Sequence, residues 1–165
     1  MLEYRLLKAE DTAAFYQLSK QLDQETPYML YLPDERQENL SALENILTTT
    51  NENGFLLGVW HDTEELIGYI SAKVTPLQKV QHTAYIVIGI RQAFRGQGIG
   101  SRLFIELETW AKQKSLHRLE LTVMTENQAG LRLYQSKGFV IEGIKKDSIF
   151  MNGRYLDEYY MAKLL

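Results

Sequence analysis

The sequence predicts a single mixed α/β (α+β) domain, a sheet with helices packed on both faces. Three observations predict it. Apolar residues alternate between a period of two and a period near 3.6 along the chain. The segments defined in this way follow the order β-α-α-β-β-β-α-β-α-β-β. One strand, "TAYIVIGI" (83–90), is almost wholly apolar, as a central strand buried on both faces would be. A length of 165 residues, without repeats or low-complexity stretches, suits one domain, 1–165.

The elements follow in turn. "LEYRLLKAED" opens as a strand, and Asp11 or Thr12 caps a helix whose apolar face is Ala14, Phe15, Leu18 and Leu22. "QETPYMLYLPDER" is a loop broken by Pro27 and Pro33, after which "DERQENLSALENIL" resumes a helical period through Leu40, Leu43, Ile46 and Leu47. "GFLLGVW" and "LIGYISAKVT" form a hairpin across the polar turn "HDTEE". A helix over 101–114 puts Leu103, Leu107, Trp110 and Ala111 on one face, and "RLELTVM" alternates as a strand. Asn127 caps a helix over 128–137 that Gly138 stops. Two closing strands lie around "FVIEGIKKDSIF" and "RYLDEYYMAKL", and Asn152–Gly153 between them calls for a type I′ turn.

Composition removes several function classes. The net charge is −3, with 18 basic and 21 acidic residues, so no global basic field favours nucleic acid or anionic lipid. The chain has no cysteine, which excludes disulfides, iron–sulfur clusters and any acyl-cysteine intermediate. His61, His82 and His117 lack metal-ligand spacing, so no metal is expected. No apolar run approaches a membrane span, and "MLEYRLLKAED" lacks a signal-peptide core. The expectation is a cytoplasmic protein with neither a nucleic-acid nor a membrane partner.

The stretch "FRGQGIGSRLF" (94–104) follows the apolar strand and leads into a helix. Its spacing does not fit G-x-x-x-x-G-K-[ST], because Ser101 rather than lysine follows Gly100. It does not fit G-x-G-x-x-G either, since Gly96, Gly98 and Gly100 alternate. A nucleotide hydrolase is therefore disfavoured. What remains suits a pyrophosphate: glycines that permit positive φ, backbone N–H groups free of Cβ interference, a helix N-terminus, and the charge of Arg95.

With its neighbour, this stretch resembles the GNAT superfamily of N-acetyltransferases. Arg95, Gly98 and Gly100 fill the family's [RQ]-x-x-G-x-[GA], and "ENQAGLRLYQSKGF" (126–139) is similar to its N-x-x-A-x-x-L-Y-x-x-x-G-F. Gly130 stands where the family has alanine, a change that costs a helix about 1 kcal/mol.

The resemblance implies a mostly antiparallel seven-stranded sheet in which "TAYIVIGI" and "LELTVM" splay apart. It implies acetyl-CoA as donor, its pyrophosphate on Arg95, Gly96, Gln97, Gly98, Ile99, Gly100 and Ser101. Its pantetheine arm would lie along the backbone of Ile88, Gly89 and Ile90, with Asn127 and Tyr134 nearby. Tyr134 fills the family's general-acid position. Some members carry a glutamate base on the central strand, where this chain has Tyr85; His82, just before that strand, is a candidate base, with Glu126, Asp157 and Glu158 as acidic alternatives. The acceptor expected is a primary amine of a small molecule, polyamine or peptide. Tyrosines and acids in "PYMLYLPDERQENL" and "FMNGRYLDEYYM" suit a cationic amine. A homodimer is compatible with this reading. The competing class is a non-catalytic acetyl-CoA sensor.

Overall fold

The computed structural model describes residues 1–165. Seven strands and four α-helices alternate as β1 (Leu2–Leu6), α1 (Thr12–Glu25), α2 (Leu40–Asn53), β2 (Phe55–His61), β3 (Glu65–Val74), β4 (Thr83–Ile90), α3 (Ile99–Gln113), β5 (Arg118–Met124), α4 (Gln128–Ser136), β6 (Val140–Met151) and β7 (Arg154–Leu164). They build one sheet in the order β1-β2-β3-β4-β5-β7-β6, antiparallel everywhere except between β4 and β5. The expected mixed sheet and element order are both present.

Helices cover the two faces unequally. Ile99, Leu103, Phe104, Leu107 and Ala111 of α3 pack against Ile67, Ala84, Ile86, Leu119 and Leu121. The opposite face is covered by Leu18 and Leu22 of α1 and Leu47 of α2, over Leu56, Trp60, Leu66 and Tyr69 of β2 and β3. That second layer does not reach β4 along its length. Tyr85 and Val87 are consequently 40% and 37% exposed, whereas Ala84 and Ile86 are buried. The expectation of a central strand buried on both faces fails for this reason: one face of β4 is left open.

Local chemistry explains where the elements stop. The helix expected from Asp34 begins only at Leu40. Asn39 supplies its cap, accepting a hydrogen bond from the Ala42 N–H at 3.1 Å. Ahead of it, Arg36 is drawn into an ion pair with the buried Asp23 at 2.7 Å, and Asp34 adopts a φ of 65°. Asp11 precedes α1 as expected but does not cap it through its side chain. Its carboxylate accepts instead from Lys8 N at 2.8 Å and from Arg5 at 2.9 and 3.0 Å. At the terminal hairpin, Asn152 and Gly153 have φ of 54° and 75°, the pair of positive values a type I′ turn needs.

Candidate active site

The site begins where β4 and β5 stop pairing. Only three couples join them: Thr83, Ala84 and Tyr85 opposite Arg118, Leu119 and Glu120. Beyond this point each strand keeps its outer partner, β4 up to Ile90 opposite Gly68 and β5 up to Met124 opposite Glu158. The inner edges of Ile86–Ile90 and Leu121–Met124 therefore face a fork. Backbone polar groups along such an edge must find partners other than a strand.

The glycine stretch turns off the end of β4. Gly96 and Gly98 take φ of 74° and 81°, and a Cβ at either would meet nothing within 4 Å, so conformation, not crowding, requires glycine at both positions. The first helical bond of α3 runs from Arg102 N to Gly98 O at 3.1 Å. The amides of residues 96 to 101, all six, donate to no carbonyl in the chain. Consecutive free N–H groups at a helix N-terminus are a built anion cradle. Arg95 lies exposed beside it, its Nε donating to Ile90 O at 3.0 Å, and Gln97 donates to Ala93 O at 3.4 Å. Ile99 buries its side chain in the core, leaving only its amide to the cradle. Gly100 is needed for another reason: a Cβ there would lie 3.0 Å from Leu133 and 3.4 Å from Ile90.

Two acid–base contacts that sequence reasoning missed hold the start of this loop. Glu25, the last residue of α1, accepts from Arg91 Nε and from Gln92 N, both at 2.8 Å, and Arg91 also pairs with Glu65 at 2.7 Å. Burial pushes the Glu25 carboxyl up. The Gln92 N–H and the Arg91 guanidinium, with Arg95 behind them, outweigh burial and hold it below its ordinary value. Nothing in the local pattern of "DQETP" marks Glu25 out, because its partners are more than sixty residues away.

Across the fork stands α4. Asn127 Oδ1 accepts from Gly130 N at 3.0 Å, and a Cβ at Gly130 would come within 2.7–3.0 Å of that same carboxamide. Gly130 thus accommodates the capping side chain. Tyr134 sets its ring edge-on against Phe104 at 5.8 Å and Phe139 at 6.4 Å. Its hydroxyl is pushed up to about 12, first by burial and then by the neighbouring Tyr85. Tyr69 is likewise pushed up to about 12 by burial; Arg36 opposes the shift, and Asp23 and Tyr134 add to it.

The structure gathers Ile88, Gly89, Ile90, residues 95 to 101, Asn127 and Tyr134 around the fork. A Cβ at Gly89 would strike Leu22 at 2.6 Å and Tyr69 at 3.2 Å, so only glycine lets α1 approach β4 there. His82 is not brought in. It precedes β4 at the opposite end, about 25 Å along an eight-residue strand from the loop, and lines a separate cavity with Trp110 and Lys114. It does not line the cavity at the fork. Glu126 is paired with Arg154 at 2.8 Å, and Asp157 accepts from Asp147 N at 2.8 Å and from Lys146 at 3.3 Å. Glu158 stands opposite Met124, at the open end of β5.

The region over the fork also involves the segment between α1 and α2. The Tyr28 hydroxyl donates to Glu126 O at 3.4 Å, and Arg36 lies 4.3 Å over the Tyr31 ring. At the apex of the fork, on the open face, a cavity of about 560 Å³ is lined by Tyr85, Arg118, Glu120, Thr122, Glu142 and Tyr160, among others. No group of three or more potential metal-ligating side chains is present.

Comparison with known proteins agrees with this geometry. The family model described as Acetyltransferase (GNAT) family matches residues 13–139, and the chain belongs to that family. An acetyltransferase of the GNAT family from Streptococcus pneumoniae has the same fold, with a TM-score of 0.94 and 28% identity over 100% of both chains. The L-amino acid N-acetyltransferase AaaT of Escherichia coli is 30% identical over 104 residues, 61% of this chain and 62% of that protein. The spermidine N(1)-acetyltransferase of Vibrio cholerae is 29% identical over 132 residues, 78% of this chain and 75% of that protein. The match to the Escherichia coli protein thus spans less than two thirds of its length.

Proposed function

We propose that this chain transfers an acetyl group from acetyl-CoA directly to a primary amine. The observation that carries the proposal is the run of six unpartnered amides, Gly96 to Ser101, at the N-terminus of α3 and beside an open fork in the sheet. That pair of features fits a ligand with a pyrophosphate at one end and an extended, amide-bearing arm at the other. Acetyl-CoA, when bound, supplies an activated acetyl thioester.

The roles of the chain's own residues follow. The amides of residues 96 to 101 and the remaining guanidinium N–H groups of Arg95 hold the pyrophosphate. The inner backbone edge at Ile88 and Ile90 takes the arm's amides as a neighbouring strand would, while Gly89 between them turns its backbone groups to Tyr69 of β3. A backbone N–H near Ile88 is placed to stabilise an oxyanion. Asn127, its Oδ1 engaged with Gly130 N, keeps a free Nδ2 beside the fork. Tyr134, held near 12, stays protonated at neutral pH. Its phenol therefore carries a proton that it can donate, by hydrogen bond or transfer, to the departing sulfur, the general-acid role. With no cysteine in the chain, attack by the amine on a covalent acyl-cysteine is excluded, which favours direct transfer.

The acceptor class is a primary amine of a small molecule, a polyamine or a peptide N-terminus. Relatives named for amino-acid and spermidine acetylation support it, and Tyr85 and Tyr160 in the fork-apex cavity offer aromatic faces to a cation. The test is acetyl-CoA-dependent thiol release across a panel of free amino acids, polyamines and N-terminal peptides. Release with at least one amine is expected. Tight acetyl-CoA binding without release from any amine would favour the sensor instead.

A further inference from the structure

The place where β4 and β5 part is marked by a side-chain bridge. The last backbone couple joins Tyr85 to Glu120, and the next contact between the strands is the Tyr85 hydroxyl against Thr122 Oγ1 at 2.8 Å. Thr122 lies two residues beyond Glu120, so the tyrosine reaches diagonally forward over the mouth of the fork. No side-chain hydrogen bond links Ile86–Ile90 to Leu121–Met124, so this is the bond at the mouth of the fork. Both bridging groups lie on the face that α1 and α2 leave open, where no helix packs on them to fix the separation of the strands.

We propose that the Tyr85–Thr122 hydrogen bond is a positioning clasp that sets how far β4 and β5 stand apart, and hence how well the fork fits an extended ligand arm. The proposal rests on the acetyl-CoA reading given above. The clasp acts through the strand edges: it holds the last paired couple closed, so that separation begins at Ile86 and not earlier. Without it, the three-couple ladder frays toward Thr83 and the slot widens. The pyrophosphate cradle, on the loop after Ile90, is built from a different set of bonds and is unaffected by this change.

Three variants test it: Tyr85→Phe, Thr122→Val and the double substitution, with Thr122→Ser keeping the hydroxyl. Affinity is measured for acetyl-CoA and for its nucleotide portion alone, 3′-phosphoadenosine 5′-diphosphate, and amide exchange is followed in the ligand-free protein. Each single variant is expected to weaken acetyl-CoA binding about 5- to 30-fold while leaving the nucleotide portion within about twofold. The double variant should be no worse than either single one, because both remove the same bond. Amides in 84–90 and 118–124 should exchange at least about threefold faster in the ligand-free variants, and Thr122→Ser should restore both properties. Equal weakening toward both ligands, additive losses, or unchanged exchange would overturn the clasp. A fall in turnover with affinity intact would also overturn it, placing Tyr85 in the chemistry instead. Failure of the unaltered protein to bind acetyl-CoA would refute the proposed function itself, whereas faster exchange in the variants depends on no ligand and would still report the clasp.

Discussion

Tyr134 and the glycines around it show how far single residues determine this site. The Tyr134 phenol is pushed up to about 12 by burial and by Tyr85, so it is a hydrogen-bond donor throughout the neutral range. On the proposed mechanism, Tyr134→Phe should lower turnover by one to three orders of magnitude with acetyl-CoA affinity changed less than about threefold; steady-state rates alongside equilibrium binding would check this. Gly98→Ala places a Cβ at a φ of 81°, a strain of about 1–2 kcal/mol, and should raise the acetyl-CoA Kd roughly tenfold in a binding titration. Tyr134, Gly98 and Asn127 were legible in the sequence because each sits in a short motif whose spacing mirrors local geometry. Gly89 was legible only as a backbone position; that its missing Cβ lets Leu22 and Tyr69 close on β4 is a fact of tertiary packing. His82 lies at the end of β4 away from the glycine loop, which nearness in sequence to the strand does not reveal.

Among the elements, periodicity located every strand and helix, but it could not say which faces would be covered. "TAYIVIGI" reads as buried on both sides, yet α1 reaches it only at Gly89, and its face at Tyr85 and Val87 is open. Likewise, nothing in "DERQENL" shows that Arg36 turns back to Asp23, because that bond spans the whole inter-helix segment. The Glu25 contact has the same long-range character and gives a prediction at this scale. Glu25→Gln removes the charge that Arg91 and Gln92 N lean on, so the loop after β4 should loosen. Acetyl-CoA affinity is expected to fall about 3- to 10-fold while the melting temperature drops by only a few degrees, as isothermal titration and a thermal melt would register.

For the molecule as a whole, Tyr69 and Tyr134 set an alkaline limit. Their folded values near 12 exceed the ordinary value of 10. Below pH 10 both states are protonated and the full stability is present. Between pH 10 and 12 the unfolded chain ionises first, so stability falls with rising pH. Tyr69, wholly buried, accounts for on the order of 2–3 kcal/mol of that loss, and the partly exposed Tyr134 for less. Denaturant titrations at pH 9.5 and 11.5 should show it, and Tyr69→Phe should flatten the difference. Fork and cradle act as one assembly, and residue-resolved amide exchange with and without acetyl-CoA probes both at once. The amides of 96–101 and those of Ile88 and Ile90 on the inner edge of β4, which have no partner in the free chain, should become at least tenfold more protected when acetyl-CoA is added. Protection elsewhere on the surface, with these two runs unchanged, would contradict the account.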